Sequence, residues 1–185
     1  MGKTIERDFL SDIKTLRARA RKRIEDGAVT PSYGADRKLV VDILNEALAT
    51  ELVCTLRYRR HYFVAEGILA EAIKKEFLVH AQEEQAHADL IAERIVQLGG
   101  DPNFNPDGLA ARSHAEYGTS TRLVSMLKED LVAERVAIES YTEMARYLQD
   151  KDSTTRRMIE QILAAEEHHA EEIASMMENL RSLNK

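Results

Sequence analysis

Several features that define other protein classes are scarce in this sequence. It contains 1 Cys, 3 Pro and no Trp, and aromatic residues make up only 5% of the chain. The single cysteine, Cys54, excludes an internal disulfide framework and fits a reducing compartment. No apolar run approaches the roughly 18 residues needed to cross a bilayer, and the first residues lack the apolar core of a secretory signal. These absences predict a cytoplasmic protein without a membrane segment.

The abundant residues favour helices. Hydrophobic residues make up 44% and charged residues 31% of the 185 positions, with Ala, Glu, Leu and Arg prominent. A chain of this length suits one domain with a substantial core, and this composition predicts an all-α fold. Long helical patterns without internal Gly or Pro cover about residues 36–66, 69–98, 121–148 and 153–180.

The N-terminal segment has a different pattern. Residues 4–26 are highly charged, with the apolar residues Ile5, Phe9, Ile13 and Leu16 at spacings of three and four. This pattern predicts an additional N-terminal helix with one narrow apolar face that docks on another surface. Because Gly and Pro follow it, we divide the chain into a helical arm and linker, residues 1–34, and a four-helix bundle, residues 35–182.

The connections between the long helices predict the topology. The short link at Gly67 makes the first two helices antiparallel neighbours. Residues 99–120 hold two of the three prolines and four of the eight glycines, and about 20 extended residues span well over 40 Å. This long crossover can return the chain along the bundle, so the expected fold is two antiparallel hairpins joined by one crossover.

The two predicted hairpins repeat one another in register. The first and third helices each have one lone Glu in an apolar stripe, with a Tyr seven residues later. The second and fourth helices each have a Glu and a His three residues apart, which is one helix face. These residues are Glu51, Tyr58, Glu84, His87, Glu134, Tyr141, Glu166 and His169.

This constellation predicts a two-metal centre. Four buried carboxylates would be too unstable unpaired, whereas two divalent cations cancel a formal charge of −4. Carboxylate oxygens with one imidazole per ion suit iron or manganese, while structural zinc usually takes thiolates. A lone Glu from each of two helices, with Glu-x-x-His from each of the other two, is the ligand plan of di-iron carboxylate bundles.

On these motifs the chain resembles the ferritin-like superfamily, and most closely bacterioferritin, over about residues 40–175. The segments that carry the resemblance are 45–53, 84–89, 131–134 and 162–169. The resemblance implies a ferritin-like four-helix bundle with Tyr58 beside a pair of iron ions. It also implies terminal ligands Glu51 and His87 for one ion, terminal ligands Glu134 and His169 for the other, and bridging ligands Glu84 and Glu166.

The function implied by the resemblance is iron storage and detoxification with ferroxidase activity. Two Fe(II) ions per subunit would be oxidised by O2 or H2O2, and Fe(III) would be stored in a self-assembled cage. One alternative is a peroxide-consuming enzyme, rubrerythrin-like or manganese-catalase-like, with manganese in place of iron. Another is a Dps-like DNA-protecting assembly. Tyr58 and Tyr141 are interpreted as core residues that hydrogen-bond a ligand carboxylate, with redox activity as the alternative.

Two departures from bacterioferritin change the expectations. Haem in that family is bound through a Met immediately after the ligand Glu of the second helix, and Gln85 occupies this position, so haem is not expected. Only 16 residues follow His169, little more than the rest of the fourth helix, and the missing fifth helix together with the N-terminal arm resembles the Dps-like branch. We therefore expect a homo-oligomeric cage of 12 subunits, with 24 as the alternative.

Two further features each have two interpretations. The arm is basic, with ten Lys/Arg against six Asp/Glu in residues 1–38, so it could contact DNA phosphates. Its intervening acids and the net charge of −6 favour docking between subunits instead. His80, one turn before Glu84, is interpreted as a surface residue or as a residue lining a path for iron.

Overall fold

The computed structural model describes residues 11–67 and 69–183, which contain helices and loops and no strand. This confirms the all-α prediction. Four long helices form the bundle, and two short helices and one 3-10 turn lie outside it. In chain order they are α1 (Ile13–Ala20), the 3-10 turn Ile24–Asp26, α2 (Arg37–Val64), α3 (Ala70–Gln97), α4 (Leu109–Arg112), α5 (Leu123–Leu148) and α6 (Ser153–Leu183).

The bundle has two large apolar clusters with a polar layer between them. One cluster joins the start of α2, the end of α3, the end of α5 and the start of α6, with Leu44 and Ile91 fully buried. The other joins the opposite ends of the same helices and includes Phe77 and Ile173. Burial of apolar surface at both ends stabilises the bundle, which fixes the middle of each helix against the other three.

Polar side chains and glycines define the ends of the long helices. The Asp36 carboxylate accepts hydrogen bonds from the first backbone N–H groups of α2, at 3.0 and 3.2 Å. The Asp152 carboxylate does the same for α6, accepting from Thr155 N at 2.9 Å. Gly99 has a φ of +74°, a left-handed conformation that ends α3 at little steric cost.

The crossover between α3 and α5 lies along α2. Side chains of α2 form hydrogen bonds with the backbone of the crossover at successive points. Asn103 N donates to Asn45 Oδ1 at 2.7 Å, and His114 N donates to Thr50 Oγ1 at 2.9 Å. Farther along, Arg60 donates to Ser120 O at 2.8 Å. These bonds satisfy backbone groups that a loop would otherwise expose or leave unpaired. The crossover therefore returns the chain along the bundle as predicted, with the unpredicted short helix α4 within it.

The N-terminal helix is shorter than predicted. Within the described residues it spans Ile13–Ala20, because Arg23 adopts a φ of +50° and a 3-10 turn follows. Ile5 and Phe9 lie outside the described residues. The side chains of Ile13 and Leu16 are 67% and 50% exposed, so their apolar face is not covered by the described part of this chain.

The linker after the arm is attached to the bundle. Tyr33 donates a hydrogen bond to Asp152 Oδ2 at 2.8 Å, and Gly34 N donates to Lys151 O at 3.2 Å. These two contacts bring the linker to the turn between α5 and α6. No helix in residues 11–67 and 69–183 combines the length and apolar character needed to span a membrane.

Candidate metal centre

The polar layer of the bundle contains all six residues predicted to bind metal. Their coordinating atoms fall into two clusters, and within each cluster the atoms lie within 4.8 Å of one another. Glu84 and Glu166 belong to both clusters. The first cluster is Glu51, Glu84, His87 and Glu166, and the second is Glu84, Glu134, Glu166 and His169.

Helical periodicity places these groups in the core. Glu84 and His87 are one turn apart on α3, as are Glu166 and His169 on α6, so each pair projects from one face. The exposed fraction is 8% for His87 and no more than 2% for the other five residues. The structure thus brings together, away from water, carboxylates that would repel one another in the absence of a cation.

Several atoms of the set have no hydrogen-bond partner among the described residues. They include Glu84 Oε1 and both carboxylate oxygens of Glu166. His87 Nδ1 is also unpartnered, since it lies 2.9 Å from Glu166 Oε1 without hydrogen-bond geometry. Unsatisfied buried oxygens and nitrogens that converge on one place are the donor set a divalent cation needs. The residues present therefore fit a pair of metal ions.

One oxygen of Glu51 and one oxygen of Glu134 each accept a hydrogen bond from a tyrosine. Tyr58 on α2 donates a hydrogen bond to Glu134 Oε1 on α5, and Tyr141 on α5 donates to Glu51 Oε1 on α2. Both tyrosines are fully buried. Each hydroxyl leaves the second oxygen of its carboxylate free to face the centre, and Tyr58 therefore lies next to the second cluster.

Burial and mutual repulsion give the carboxylates unequal pKa values. Burial, with Glu51 and Glu134 nearby, raises the pKa of Glu84 well above its usual range. Burial and the charge of Glu84 raise the pKa of Glu166 to about 8. Burial also acts to raise the pKa of Glu134, but hydrogen bonds, first from His169, lower it to about 2. A carboxylate with a raised pKa gives up its proton less readily, so cation binding at this centre is coupled to proton release.

The pKa values of His87 and His169 are raised, which favours their protonated forms. Burial acts to lower the pKa of His87, but the carboxylates of Glu166 and Glu51 raise it to about 10. The pKa of His169 is raised for the same reason, by Glu134, Glu166 and Glu84 against the effect of burial. Both imidazoles must lose a proton to bind a metal ion.

Sequence reasoning missed the carboxylate behind His169. The Nδ1 atom of His169 faces the centre, at 3.4 Å from Glu166 Oε2, whereas its Nε2 atom lies 2.8 Å from Glu83 Oε2. Such a carboxylate orients a metal-binding histidine and fixes which ring nitrogen is free. Glu83 directly precedes Glu84 in the sequence. Adjacent residues of a helix point in different directions, so this position alone does not indicate that the Glu83 side chain contacts α6.

The surface interpretation of His80 is wrong. Its side chain is 1% exposed, and its ring stacks on that of His169 with centroids 4.3 Å apart. His80 Nε2 lies 3.0 Å from Glu172 Oε2 on α6. The pairing depends on how α3 meets α6, which the spacing of His80 and Glu84 along one helix does not reveal.

A second buried polar network adjoins the centre and was also missed. Arg57 Nε donates to Asp130 Oδ1 at 2.8 Å, and His61 Nδ1 lies 2.9 Å from Asp130 Oδ2. All three side chains are fully buried. A signal was available, because Asp130 lies four residues before Glu134 and hence on the same face of α5.

Two other residues singled out from the sequence lie at the edge of the centre. Cys54 is 3% exposed, and its sulfur accepts a hydrogen bond from Arg57 at 3.5 Å, which agrees with a small buried side chain. Burial raises the pKa of its thiol well above the usual value. Gln85 is half-buried and donates to Asp89 Oδ1 at 2.9 Å.

Comparison with known proteins gives one family and several relatives. The ferritin-like domain matches residues 41–183, which include all six residues of the two clusters. Bacterioferritin of Desulfovibrio desulfuricans is 28% identical over 150 residues, covering 78% of this chain and 80% of that protein. Bacterial ferritin of Neisseria meningitidis serogroup B is 34% identical over 138 residues, covering 71% of this chain and 81% of that protein.

A solved structure agrees with these matches. A dodecameric thioferritin, the bacterioferritin-related protein from Bacteroides fragilis, superposes with a TM-score of 0.78 at 33% identity. The superposition covers 82% of this chain and 91% of that chain. The similarity thus extends over nearly the whole of that chain, and not only over a short motif.

Proposed function

The chain belongs to the ferritin-like domain family, and on that premise we propose that it is a cytoplasmic iron-storage and detoxification protein with ferroxidase activity. The observation that carries the proposal is the sharing of Glu84 and Glu166 between two buried four-residue clusters. Two shared carboxylates are what two adjacent ions need, because each can bind one ion through each oxygen. Relatedness to bacterioferritins supports the same function.

In this proposal each residue has one role at the iron pair. Glu84 and Glu166 would bridge the two ions. Each ion would have one terminal carboxylate and one imidazole, so the four carboxylates would balance the charge of two divalent ions. The terminal ligands are Glu51 and His87 for one ion and Glu134 and His169 for the other.

The donor set favours iron or manganese, and the relatedness to bacterioferritins supports iron as the substrate. The clusters contain carboxylate oxygens and imidazole nitrogens, and the only cysteine sulfur of the chain bonds Arg57 instead. Hard oxygen donors with one imidazole per ion suit Fe(II) or Mn(II) over structural zinc. When bound, two Fe(II) ions supply one electron each to O2 or H2O2.

The protein residues hold the ions and handle the protons. Tyr58 and Tyr141 fix the terminal carboxylates through hydrogen bonds, so the oxygens that face the ions cannot rotate away. Glu84 and Glu166, with raised pKa values, give up protons as Fe(II) enters. Gln85 presents an amide where the related haem proteins have a thioether, and we expect no haem.

The assembly we propose is a homo-oligomeric cage of 12 subunits. Its support is the similarity to the thioferritin from Bacteroides fragilis, which is described as dodecameric and is 33% identical to this chain. Native mass spectrometry with metals retained tests the proposal directly. A mass of 12 chains is the expected result, and a mass of 24 chains or of two would contradict it.

The activity is tested with purified apoprotein, Fe(II) and either O2 or H2O2. We expect near-ultraviolet absorbance of oxidised iron to develop at two Fe per chain, faster than in buffer. Glu84→Ala should abolish this phase, whereas Glu167→Ala, which changes an exposed residue next to Glu166, should leave it intact. Equal rates in the wild type and Glu84→Ala, or sustained O2 release with two Mn per chain, would reject the proposal.

A further inference from the structure

The helix α1 has an apolar stripe with a row of cations along one side of it. Ile13 and Leu16 form the stripe and are 67% and 50% exposed. With about 3.6 residues per turn, Lys14, Arg17 and Arg21 lie together on one side of this stripe. All three cations are exposed, and no carboxylate among the described residues forms an ion pair with them. Both the stripe and this cation row are therefore available to a partner.

The linker holds α1 in place on its own chain. Arg19, on the other side of the stripe, donates a hydrogen bond to Ser32 Oγ at 3.1 Å. The next residue of the linker, Tyr33, donates to Asp152 at the turn between α5 and α6. The stripe thus stays exposed while the helix itself is anchored. An exposed apolar face of this kind marks an interaction surface.

A groove of about 1070 Å³ lies between α2 and the crossover. On the α2 side Asp42 and Glu46 are one helical turn apart, and their side chains are 52% and 54% exposed. The crossover side contains Asp101 and the ring of Phe104, which is 48% exposed. This α2/crossover groove therefore combines a row of carboxylates with an apolar wall.

The carboxylates of the groove are not strongly neutralised by their own chain. Arg112 also lines the groove, but its guanidinium donates to three backbone carbonyls of the crossover. Lys38 Nζ lies 2.6 Å from Asp42, and His114 Nε2 lies 3.5 Å from Glu46. Both of these pairs are partly exposed, and such pairs contribute little to stability. The two acids of α2 can therefore pair with cations of another molecule.

We propose that α1 of one copy of this chain docks in the α2/crossover groove of a second copy. The apolar stripe lies against Phe104, and the cation row faces Asp42 and Glu46. Charge supports this partner, because residues 13–23 contain six Lys/Arg and no Asp/Glu. Each copy has one α1 and one groove, so a closed assembly can fill every groove. The contact rests on the proposed assembly of several copies, but not on the number of copies or on iron.

The test is a chemical cross-link between two chains that each have one new cysteine. Leu16→Cys and Phe104→Cys chains of different mass are co-expressed and treated with a short bis-maleimide. Electrophoresis should show a mixed dimer. Leu16→Cys with Val79→Cys, which changes an exposed residue of α3, should give none, and the wild type with its buried Cys54 is the blank.

Native mass separates failure of the contact from failure of the assembly. An assembly of several copies that gives no mixed dimer would overturn the docking proposal alone. A native mass of one chain would overturn both the docking and the proposed assembly.

A charge swap tests whether the groove recognises the cation row. Arg17→Glu with Arg21→Glu, added to the chain with the arm cysteine, should reduce the mixed dimer several-fold because like charges then face one another. Asp42→Lys with Glu46→Lys, added to the chain with the groove cysteine, should restore it. Circular dichroism of each variant checks that the bundle is retained.

The matched control is Asp89→Lys with Glu93→Lys, which changes two exposed acids at the same spacing on α3 and should not restore the mixed dimer. A mixed dimer that neither swap changes, or that the control restores equally well, would contradict docking in this groove. Reduction by the arm variant without rescue, together with loss of duplex DNA retention in a gel, would assign the cation row to phosphates and overturn the proposal.

Discussion

Tyr58 on α2 donates a hydrogen bond to Glu134 on α5, across the space between the two hairpins. The same contact is made in the opposite direction, from Tyr141 on α5 to Glu51 on α2. Each tyrosine follows the lone Glu of its own helix by seven residues but bonds the lone Glu of the other helix. The internal repeat of the sequence is therefore a pseudo-twofold arrangement of the centre.

Removing either hydroxyl should loosen one terminal carboxylate. Tyr58→Phe and Tyr141→Phe should each weaken metal binding by about tenfold, because residues that orient metal ligands typically contribute that much. Titration of the apoprotein with Co(II), followed by absorbance, measures the effect. Tyr62→Phe changes a half-buried tyrosine that packs on the apolar cluster, and it should bind as the wild type does. Equal affinity in all four proteins would show that the hydroxyls are not needed.

Replacing a shared carboxylate should have opposite effects on binding and on stability. Glu166→Gln removes a buried charge from a crowded site, so the metal-free variant should be more stable than the wild type at pH 8. It should also lose metal binding, because both clusters need that carboxylate. Thermal unfolding with and without Co(II) tests both statements.

The matched control for this experiment is Glu167→Gln. Glu167 is the exposed neighbour of Glu166, and its replacement should change neither the stability of the apoprotein nor the binding of Co(II). A metal-free Glu166→Gln variant that unfolds at a lower temperature than the wild type would indicate a structural carboxylate.

The metal-free protein should become less stable as pH rises through neutrality. Burial and the charge of Glu84 raise the pKa of Glu166 to about 8, and neighbouring carboxylates raise that of His87 to about 10 against the effect of burial. In the unfolded chain these groups titrate near about 4.3 and 6.5. The folded apoprotein thus binds more protons between these values, and this contribution to stability is lost as pH rises toward 8 and then 10.

The measurement is the melting temperature of the apoprotein in chelator from pH 6 to pH 9. It should fall over this range, and the fall should be smaller in Glu166→Gln. With Co(II) present the fall should also be smaller, because metal binding strengthens as the ligands deprotonate. A melting temperature that rises with pH in chelator would contradict the assignment.

The Arg57–Asp130 pair should matter for stability more than for iron chemistry. Asp130→Ala leaves the fully buried guanidinium of Arg57 without its partner, which should cost about 3–5 kcal/mol in the free energy of unfolding. Urea unfolding of the apoprotein measures this cost. Arg57→Met combined with Asp130→Leu should recover much of the loss, because it removes both charges. A double variant as unstable as Asp130→Ala would argue against an unpaired charge as the cause.

Helical period and repeat register were enough to predict the bundle and the convergence of its six polar residues. Glu51 and Glu134 interrupt apolar stripes at equal offsets, so any packing that buries the stripes brings the two carboxylates inward. Helix ends were also readable, because Asp36, Gly67 and Gly99 are local signals. The N-terminal helix ends at Ala20 and not near residue 26, because the charged residues that follow give no sign that Arg23 adopts a left-handed conformation.

The contacts between the hairpins could not be predicted in the same way. Arg57 and Asp130 are 73 residues apart, and His80 and Glu172 are 92 apart. Whether such residues meet depends on the rotation of each helix about its own axis relative to a distant helix. Periodicity assigns a face to a residue but does not specify which side chain of another helix lies opposite.

The sharing of Glu84 and Glu166 also has a consequence for folding. Each four-residue cluster takes three residues from one hairpin and one from the other, so neither hairpin alone contains a complete binding set. Docking of the two hairpins and formation of the centre would then be a single event. A bound ion pair would cross-link the two halves of the chain without a covalent bond. Loading with metal should therefore slow unfolding as well as shift its equilibrium.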